Sequence, residues 1–221
     1  MTLSGLEISA PDAVTNAERA YDILLDRLIL LDIRPGAPIN DDKLAAEMGF
    51  GRTPVREALK RLERERLVIA YPRRGTFATA VDMTDLADIY EIRKQLEPIA
   101  AARAARTASP EARERLAALA ADIAGIDDAD GPYEVLRRDI AVHREIYRAS
   151  GNPHLEQILV GLDAHATRIW CLFIDRLADV ADHVRQHIPL IEAIVDGNET
   201  YAAQLTRSHV AGFEQAVRAL L

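Results

Sequence analysis

Along the first third of the chain the apolar positions fall into two rhythms. Ala20, Ile23, Leu24, Leu28 and Leu31 recur at the three-and-four spacing of one helical face and predict a helix over 17–32, which Arg34-Pro35-Gly36 ends. Leu44, Ala45 and Met48 mark a shorter helix over 41–48 with Asn40 or Asp41 as its cap. Gly49-Phe50-Gly51 is then a tight turn with Phe50 plugging the core. Val55, Leu59 and Leu62 draw a third helix over 53–65, with Pro54 in the first turn, where proline is tolerated. Residues 67–71 and 76–80 read as short strands joined by Pro72-Arg73-Arg74-Gly75. After residue 81 no strand rhythm recurs. The rest groups into about six helices, at 84–106, 110–124, 133–149, 154–177, 181–196 and 199–220, separated by Ser109-Pro110, 127–132, 150–153 and Gly197-Asn198. Pro98 is expected to kink the first of them.

Helix, helix, turn, helix and hairpin make a winged helix-turn-helix. The expected architecture is mainly α: a flexible N-terminal arm over 1–15, a winged helix-turn-helix DNA-binding domain over 16–80, and an all-α helical bundle over 81–221. A chain of 221 residues with 49% hydrophobic content can bury a core in each of two domains. The single cysteine, Cys171, excludes an internal disulfide and fits a reducing compartment. No basic-then-apolar leader opens the chain, and the most apolar early run, 23–33, is interrupted by Asp26, Arg27 and Asp32. A cytoplasmic protein without membrane attachment is expected.

Charge changes the picture because it is uneven. The whole chain carries −8, yet Arg52–Arg74 holds eight basic and three acidic residues, a net of +5. The local patch governs contact with nucleic acid more than the overall charge does. With Val55, Leu59 and Leu62 turned inward, Arg52, Arg56, Lys60 and Arg64 face solvent. Arg52 and Arg56 lie one turn apart near the start of the helix, where a major-groove reader needs long donors, and either could bridge guanine O6 and N7. Arg73 and Arg74 at the wing tip suit phosphate or minor-groove contact, and Gly75 lets the backbone approach the duplex. An ordinary solvated helix face is the rival reading of the same charges.

The run Gly51-Arg52-Thr53-Pro54-Val55-Arg56-Glu57-Ala58-Leu59, the following Arg61-Leu62 and the wing Arg73-Arg74-Gly75-Thr76 resemble the GntR family of bacterial transcription regulators over 17–80. The resemblance implies that Arg52 and Arg56 read bases and that the wing approaches the groove at Gly75; Thr53, Arg73 and Arg74 complete the expected DNA contacts. Two positions depart from the family pattern. Gly51 stands where a serine is common, and Asp42 stands where some members have a DNA-contacting arginine.

In the helical half, Asp139 and His143 are four apart on one predicted helix and share a face. His187 and His209 each lie 11 residues from Asn198 at the turn between the last two helices. In an antiparallel hairpin that places both imidazoles at one height, about 16 Å from the turn. Three imidazoles and a carboxylate suit a borderline divalent ion of the zinc, nickel or manganese class. The bland alternative is that each His is a satisfied core or surface residue, and His154 and His165 are left there; His183 shares a face with His187 but has Phe213 as its hairpin partner and ranks below the ligands. Asp139-x3-His143, Ser150-Gly151-Asn152, His187 before Ala193-Ile194, and His209 are similar to the ligand-binding (FCD) domain of the FadR subfamily over 82–221. That resemblance implies an ion held by Asp139, His143, His187 and His209 that in turn binds a small carboxylate effector. About six helices is closer to the VanR-like branch. Arg168, a turn or so beyond the height of Asp139 and His143, could fork onto an effector carboxylate. Arg93 is a second candidate, with an internal pair to Glu97 as its rival role.

These expectations combine into a metabolite-responsive regulator, with no catalytic residues, that binds a palindromic operator as a homodimer. Most members of the family repress. The alternative from another class is a metal-dependent hydrolytic enzyme built on the same Asp/His cluster; no HExxH and no positioned general base accompany it.

Overall fold

A computed structural model describes residues 14–127, 129–177 and 180–220. The first 13 residues of the expected arm lie outside the described residues. The chain divides into two compact units, residues 14–28 with 32–80, and residues 29–31 with 81–220.

The first unit is built on α1 (Asn16–Ile29), β1 (Pro38–Ile39), α2 (Asp41–Met48), α3 (Arg52–Arg64), β2 (Val68–Tyr71) and β3 (Gly75–Ala78). Its core is the predicted one: Ala20, Leu24, Leu28, Val55 and Leu62 are fully buried. α1 ends three residues earlier than its apolar rhythm suggests, with the Ile33 N–H bonded to the Arg27 carbonyl. Asn40, rather than Asp41, caps α2 by accepting from the Lys43 N–H at 2.9 Å. Gly49 closes that helix in the left-handed region at φ 68°, which glycine enters without penalty. Phe50 is only half-buried, its ring lying under the Arg19 guanidinium, so it does not plug the core. The guanidinium of Arg61 lies 3.5 Å from the centre of the Tyr21 ring, and the Tyr21 hydroxyl donates to Glu65, tying α1 to α3.

The sheet has three strands in the order β1-β3-β2, all antiparallel. The two-residue β1, with Pro38 opposite Phe77, was not expected, because so short a strand has no alternation to read. At the wing tip the Arg74 N–H bonds the Tyr71 carbonyl around Pro72 and Arg73, and Arg73 takes φ 62°. A turn with proline second and positive φ third follows type II geometry.

The second unit is helical: α4 (Asp85–Thr107), α5 (Pro110–Ala124), α6 (Pro132–Ala149), α7 (Pro153–Phe173), a 3-10 turn (Ile174–Arg176), α8 (Val180–Arg185), α9 (His187–Val195) and α10 (Glu199–Arg218). Ser109, Asn152 and Asn198 cap α5, α7 and α10 with their side chains, and Pro110, Pro132 and Pro153 open their helices at the first turn. α4 runs unbroken through Pro98 and packs along α10, with α6, α7 and α9 also against it. The predicted helix over 181–196 divides at Gln186. Pro189, third in α9, cannot donate to the Arg185 carbonyl and its ring needs the room of that carbonyl, so the α-helix restarts at His187.

Arg113 ties three helices together. Its guanidinium donates to the carbonyls of Ile194 and Val195 at the end of α9, each at 2.5 Å, and to Ala105 and Ala108 at the end of α4, at 2.7 and 3.2 Å. The Ile194 carbonyl also accepts from the Gly197 N–H at 3.1 Å, and the other carbonyls of these helix ends gain a donor from one cation of the sign the helix dipole favours. No helix among the described residues is long and apolar enough to cross a membrane.

Candidate metal centre and nucleic-acid interface

Asp139 and His143, one turn apart on α6, meet His187 at the first position of α9 and His209 midway along α10. One donor atom from each lies within 4.8 Å of all the others, and all four side chains are buried. The ring centres of His187 and His209 are 4.1 Å apart and those of His143 and His187 are 4.8 Å apart. The equal-distance argument from the Asn198 turn therefore brings the two rings together as expected, and the α8–α9 break does not disturb it because His187 begins the second piece.

The hydrogen bonds decide what these groups can do. The Nδ1–H of His187 donates to the Val184 carbonyl at 3.1 Å, leaving the Nε2 lone pair for the site. The Nδ1 of His143 lies 3.0 Å from the Tyr147 hydroxyl and 3.7 Å from a carboxylate oxygen of Glu97. When Nδ1 donates to that hydroxyl, Nε2 of His143 is again the free lone pair. Asp139 Oδ1, His187 Nε2 and His209 Nδ1 are buried with no hydrogen-bond partner among the described residues. Buried orphans of this kind are rare unless something else satisfies them. Burial lowers all three imidazoles, His143 to about 4, so each is a neutral ring able to donate a lone pair. Burial, with the nearby Asp163 and Glu97 carboxylates, raises the Asp139 carboxyl well above the usual carboxylate range against the opposing charge of Arg93; its oxygens lie 3.5 Å from His187 and 3.8 Å from His143. Three neutral ring nitrogens and one carboxyl oxygen in reach of a common point fit a divalent metal ion. Beside them lies a small cavity of about 10 Å³, bounded by Glu97, His143, Tyr147, Thr206 and His209 among others, which is the space of about one water.

Arg93 stands next to this cluster. It is buried, paired to Glu97 one turn along α4 and to Asp163 on α7 at 3.1 Å. Burial works against its charge, but the two carboxylates outweigh that and hold its pKa well above the usual value. Its charge is felt at Asp139 and at all three imidazoles. Arg168 is buried on α7 five residues beyond Asp163, turned roughly 140° around the helix from it at 3.6 residues per turn. Burial lowers its guanidinium to about 10, against a small opposing effect of Cys171. The structure thus brings Arg93 beside the cluster and buries Arg168 on α7. His183 stacks on His209 with ring centres 4.1 Å apart and touches Trp170 and Phe213.

Glu97, Tyr147 and Asp163 were not read from the sequence as parts of the site. Tyr147 continues the Asp139, His143 spacing by one more turn, and Asp163 is a lone acid within the buried stripe of Leu159, Ala166 and Trp170, which are the signals that could have found them.

In the first unit, Arg52, Thr53, Arg56, Arg73, Arg74 and Gly75 are all exposed. α3 begins at Arg52 with Gly51 as its cap residue and no capping side chain, as the missing serine foretold. Asp41, Arg56, Lys60 and Gly75 help to line a groove of about 550 Å³ between α3 and the wing.

Residues 16–78 match the model of the bacterial regulatory proteins of the gntR family, and residues 88–212, more than half of the chain, match the FCD domain. The chain is a GntR-family regulator with an FCD domain. It is 28% identical over 196 residues to an HTH-type transcriptional regulator in an unstable DNA locus of Streptomyces ambofaciens, covering 89% of this chain and 82% of that one. Among solved structures its fold is similar to E. coli McbR/YncC, with a TM-score of 0.77 at 22% identity over 94% of this chain and 97% of that one. It is also similar to a Rhodococcus sp. RHA1 protein described as a transcriptional regulator GntR, with a TM-score of 0.68 at 21% identity over 93% and 98%. GntR regulators of this FadR-like subfamily act on DNA through the winged helix and are not enzymes, so the hydrolytic alternative is set aside.

Proposed function

We propose that this GntR regulator is a metabolite-responsive repressor in the cytoplasm that binds a palindromic operator as a homodimer and releases it when a small carboxylate occupies the FCD domain. The VanR-like branch rests on the roughly six helical segments read from the sequence, one of which divides into α8 and α9. A single recognition helix covers only a few base pairs, whereas two related by a two-fold axis give useful affinity on paired half-sites.

The observation that carries the effector reading is the buried Asp139, His143, His187 and His209 cluster with its three orphaned donor atoms. A divalent ion held by these four residues would supply positive charge to which carboxylate oxygens can bind. The protein's own part is to keep the imidazoles neutral, to fix two of them through Val184 and Tyr147, and to hold Arg93 beside the site as a buried cation. Because the cavity holds about one water, an organic acid enters only if helices around it separate, and that separation is the differential state through which binding changes the affinity for DNA.

The test is a gel-shift titration on operator DNA with a panel of small mono- and dicarboxylates, using metal-loaded protein. At least one acid is expected to weaken operator binding in the wild type and to have no effect on the His187→Ala plus His209→Ala protein. The same dose response in both proteins would remove the metal-assisted site.

A further inference from the structure

Asp41 and Asp42 lie at the start of α2, the helix before the recognition helix, and each meets one of the two arginines assigned to base reading. Asp42 Oδ1 pairs with the Nε of Arg52, and its Oδ2 accepts from an Nη of the same guanidinium at 2.5 Å. This is a two-pronged contact along one edge of the fork. Asp41 Oδ2 accepts from the Nε of Arg56 at 2.5 Å. The two pairs repeat one turn apart on α3 and one residue apart on α2, so both guanidinium planes are held from the same side.

The edge used is the informative part. A guanidinium has five N–H donors, and a carboxylate on the Nε side leaves the terminal Nη pair pointing onward. That outer edge is the one that can span guanine O6 and N7. We infer that Asp41 and Asp42 are specificity-determining positioning residues, which remain paired to Arg56 and Arg52 in the DNA complex and present their outer edges to guanine. The inference rests on Arg52 and Arg56 being base readers.

Two physical consequences follow from the pairing. An arginine tethered at Nε has lost most of its rotamer freedom before DNA arrives, so less entropy is lost when it meets a base. A tethered arginine is also a poor partner for arbitrary phosphates, and the carboxylates themselves repel the backbone, so nonspecific binding is held down. The acid at position 42, where some family members have a DNA-contacting arginine, then exchanges a direct contact for the positioning of Arg52.

Selection from a random-sequence duplex library with the full-length protein tests this, comparing wild type with Asp42→Ala, Asp42→Asn, Asp41→Asn, Asp42→Glu and Arg52→Ala, followed by titration on the selected duplex and on random DNA. Asp42 is more than half exposed, so these substitutions leave the core alone. Asp42→Ala and Asp42→Asn are expected to lower guanine preference about tenfold at the base positions that Arg52→Ala also affects, Asp41→Asn to do so at other positions, and binding to random DNA to hold or tighten. Asp42→Glu, which keeps the charge, should recover part of the preference. Unchanged base preference in the Asp42 variants, or an equal gain on selected and random DNA with preference intact, would overturn the inference and leave the acids as simple competitors for the arginines. Unchanged preference in Arg52→Ala would instead defeat the base-reading role beneath it.

Discussion

With its Nδ1–H committed to the Val184 carbonyl, His187 can offer only Nε2, and one backbone contact has thereby chosen the atom that faces the site. His143 is fixed less directly, through the Tyr147 hydroxyl. The two arrangements differ in how they fail. Tyr147→Phe keeps the ring and its packing but removes the oxygen that accepts from Nδ1, freeing the imidazole to take either tautomer. We expect Tyr147→Phe to fold normally, by circular dichroism, and to bind divalent metal about 10- to 100-fold more weakly in competition with a chelating dye. His187→Ala plus His209→Ala should remove the ion altogether from protein purified without chelator. Equal metal affinity in wild type and Tyr147→Phe would mean that the hydroxyl does not set the tautomer. The sequence carried the four donors because a helix repeats every turn and a hairpin fixes height. It did not carry Asp163 as the partner of Arg93, since which residues of α7 meet α4 is set by packing and not by distance along the chain.

At the scale of elements, the site depends on where α9 and α4 end, and Arg113 fixes both. Its guanidinium serves four carbonyls of two helices, and one of those helices begins with His187 while the other carries Arg93 and Glu97. Removing it leaves Ile194 with the Gly197 N–H but takes a donor from the Val195, Ala105 and Ala108 carbonyls in a partly buried place. Arg113→Ala should cost about 2–3 kcal/mol in urea unfolding, and Arg113→Lys most of the same, because an ammonium cannot reach all four oxygens at once. A loss under about 0.5 kcal/mol, the range of an ordinary surface change, would show that solvent replaces the clamp. The elements themselves were largely visible in the apolar rhythm and in the capping residues Ser109, Asn152 and Asn198. Pro189 was visible too, but the helix rhythm continues across it, and only the missing N–H at the Arg185 carbonyl marks the break. The 3-10 turn at Ile174–Arg176 left no mark at all in a run that stays apolar up to it.

At the scale of the molecule, a chain of net charge −8 binds DNA because its charge is partitioned. The stretch Arg52–Arg74 is basic, and the helical half carries the acid surplus. Much of the stretch's positive charge is nevertheless partnered, through Asp41, Asp42 and Glu65. Affinity for DNA of any sequence should therefore lean on the wing. Arg74→Ala is expected to weaken binding to operator and random DNA alike and to reduce the slope of log affinity against log salt by about one. An unchanged slope would take Arg74 away from the phosphates. The winged-helix half was the more legible of the two from the sequence, since its DNA-facing residues lie within one short motif. The bundle's site draws on α4, α6, α7, α9 and α10, whose convergence no local pattern records.

The small cavity beside His209, with room for about one water, has a consequence in time as well as in space. For the proposed organic acid, the rate of response would be set by how often the bundle opens, so that at high acid concentration the observed rate levels off instead of rising in proportion. The regulator would then ignore brief surges of a metabolite and answer only those that outlast its own breathing.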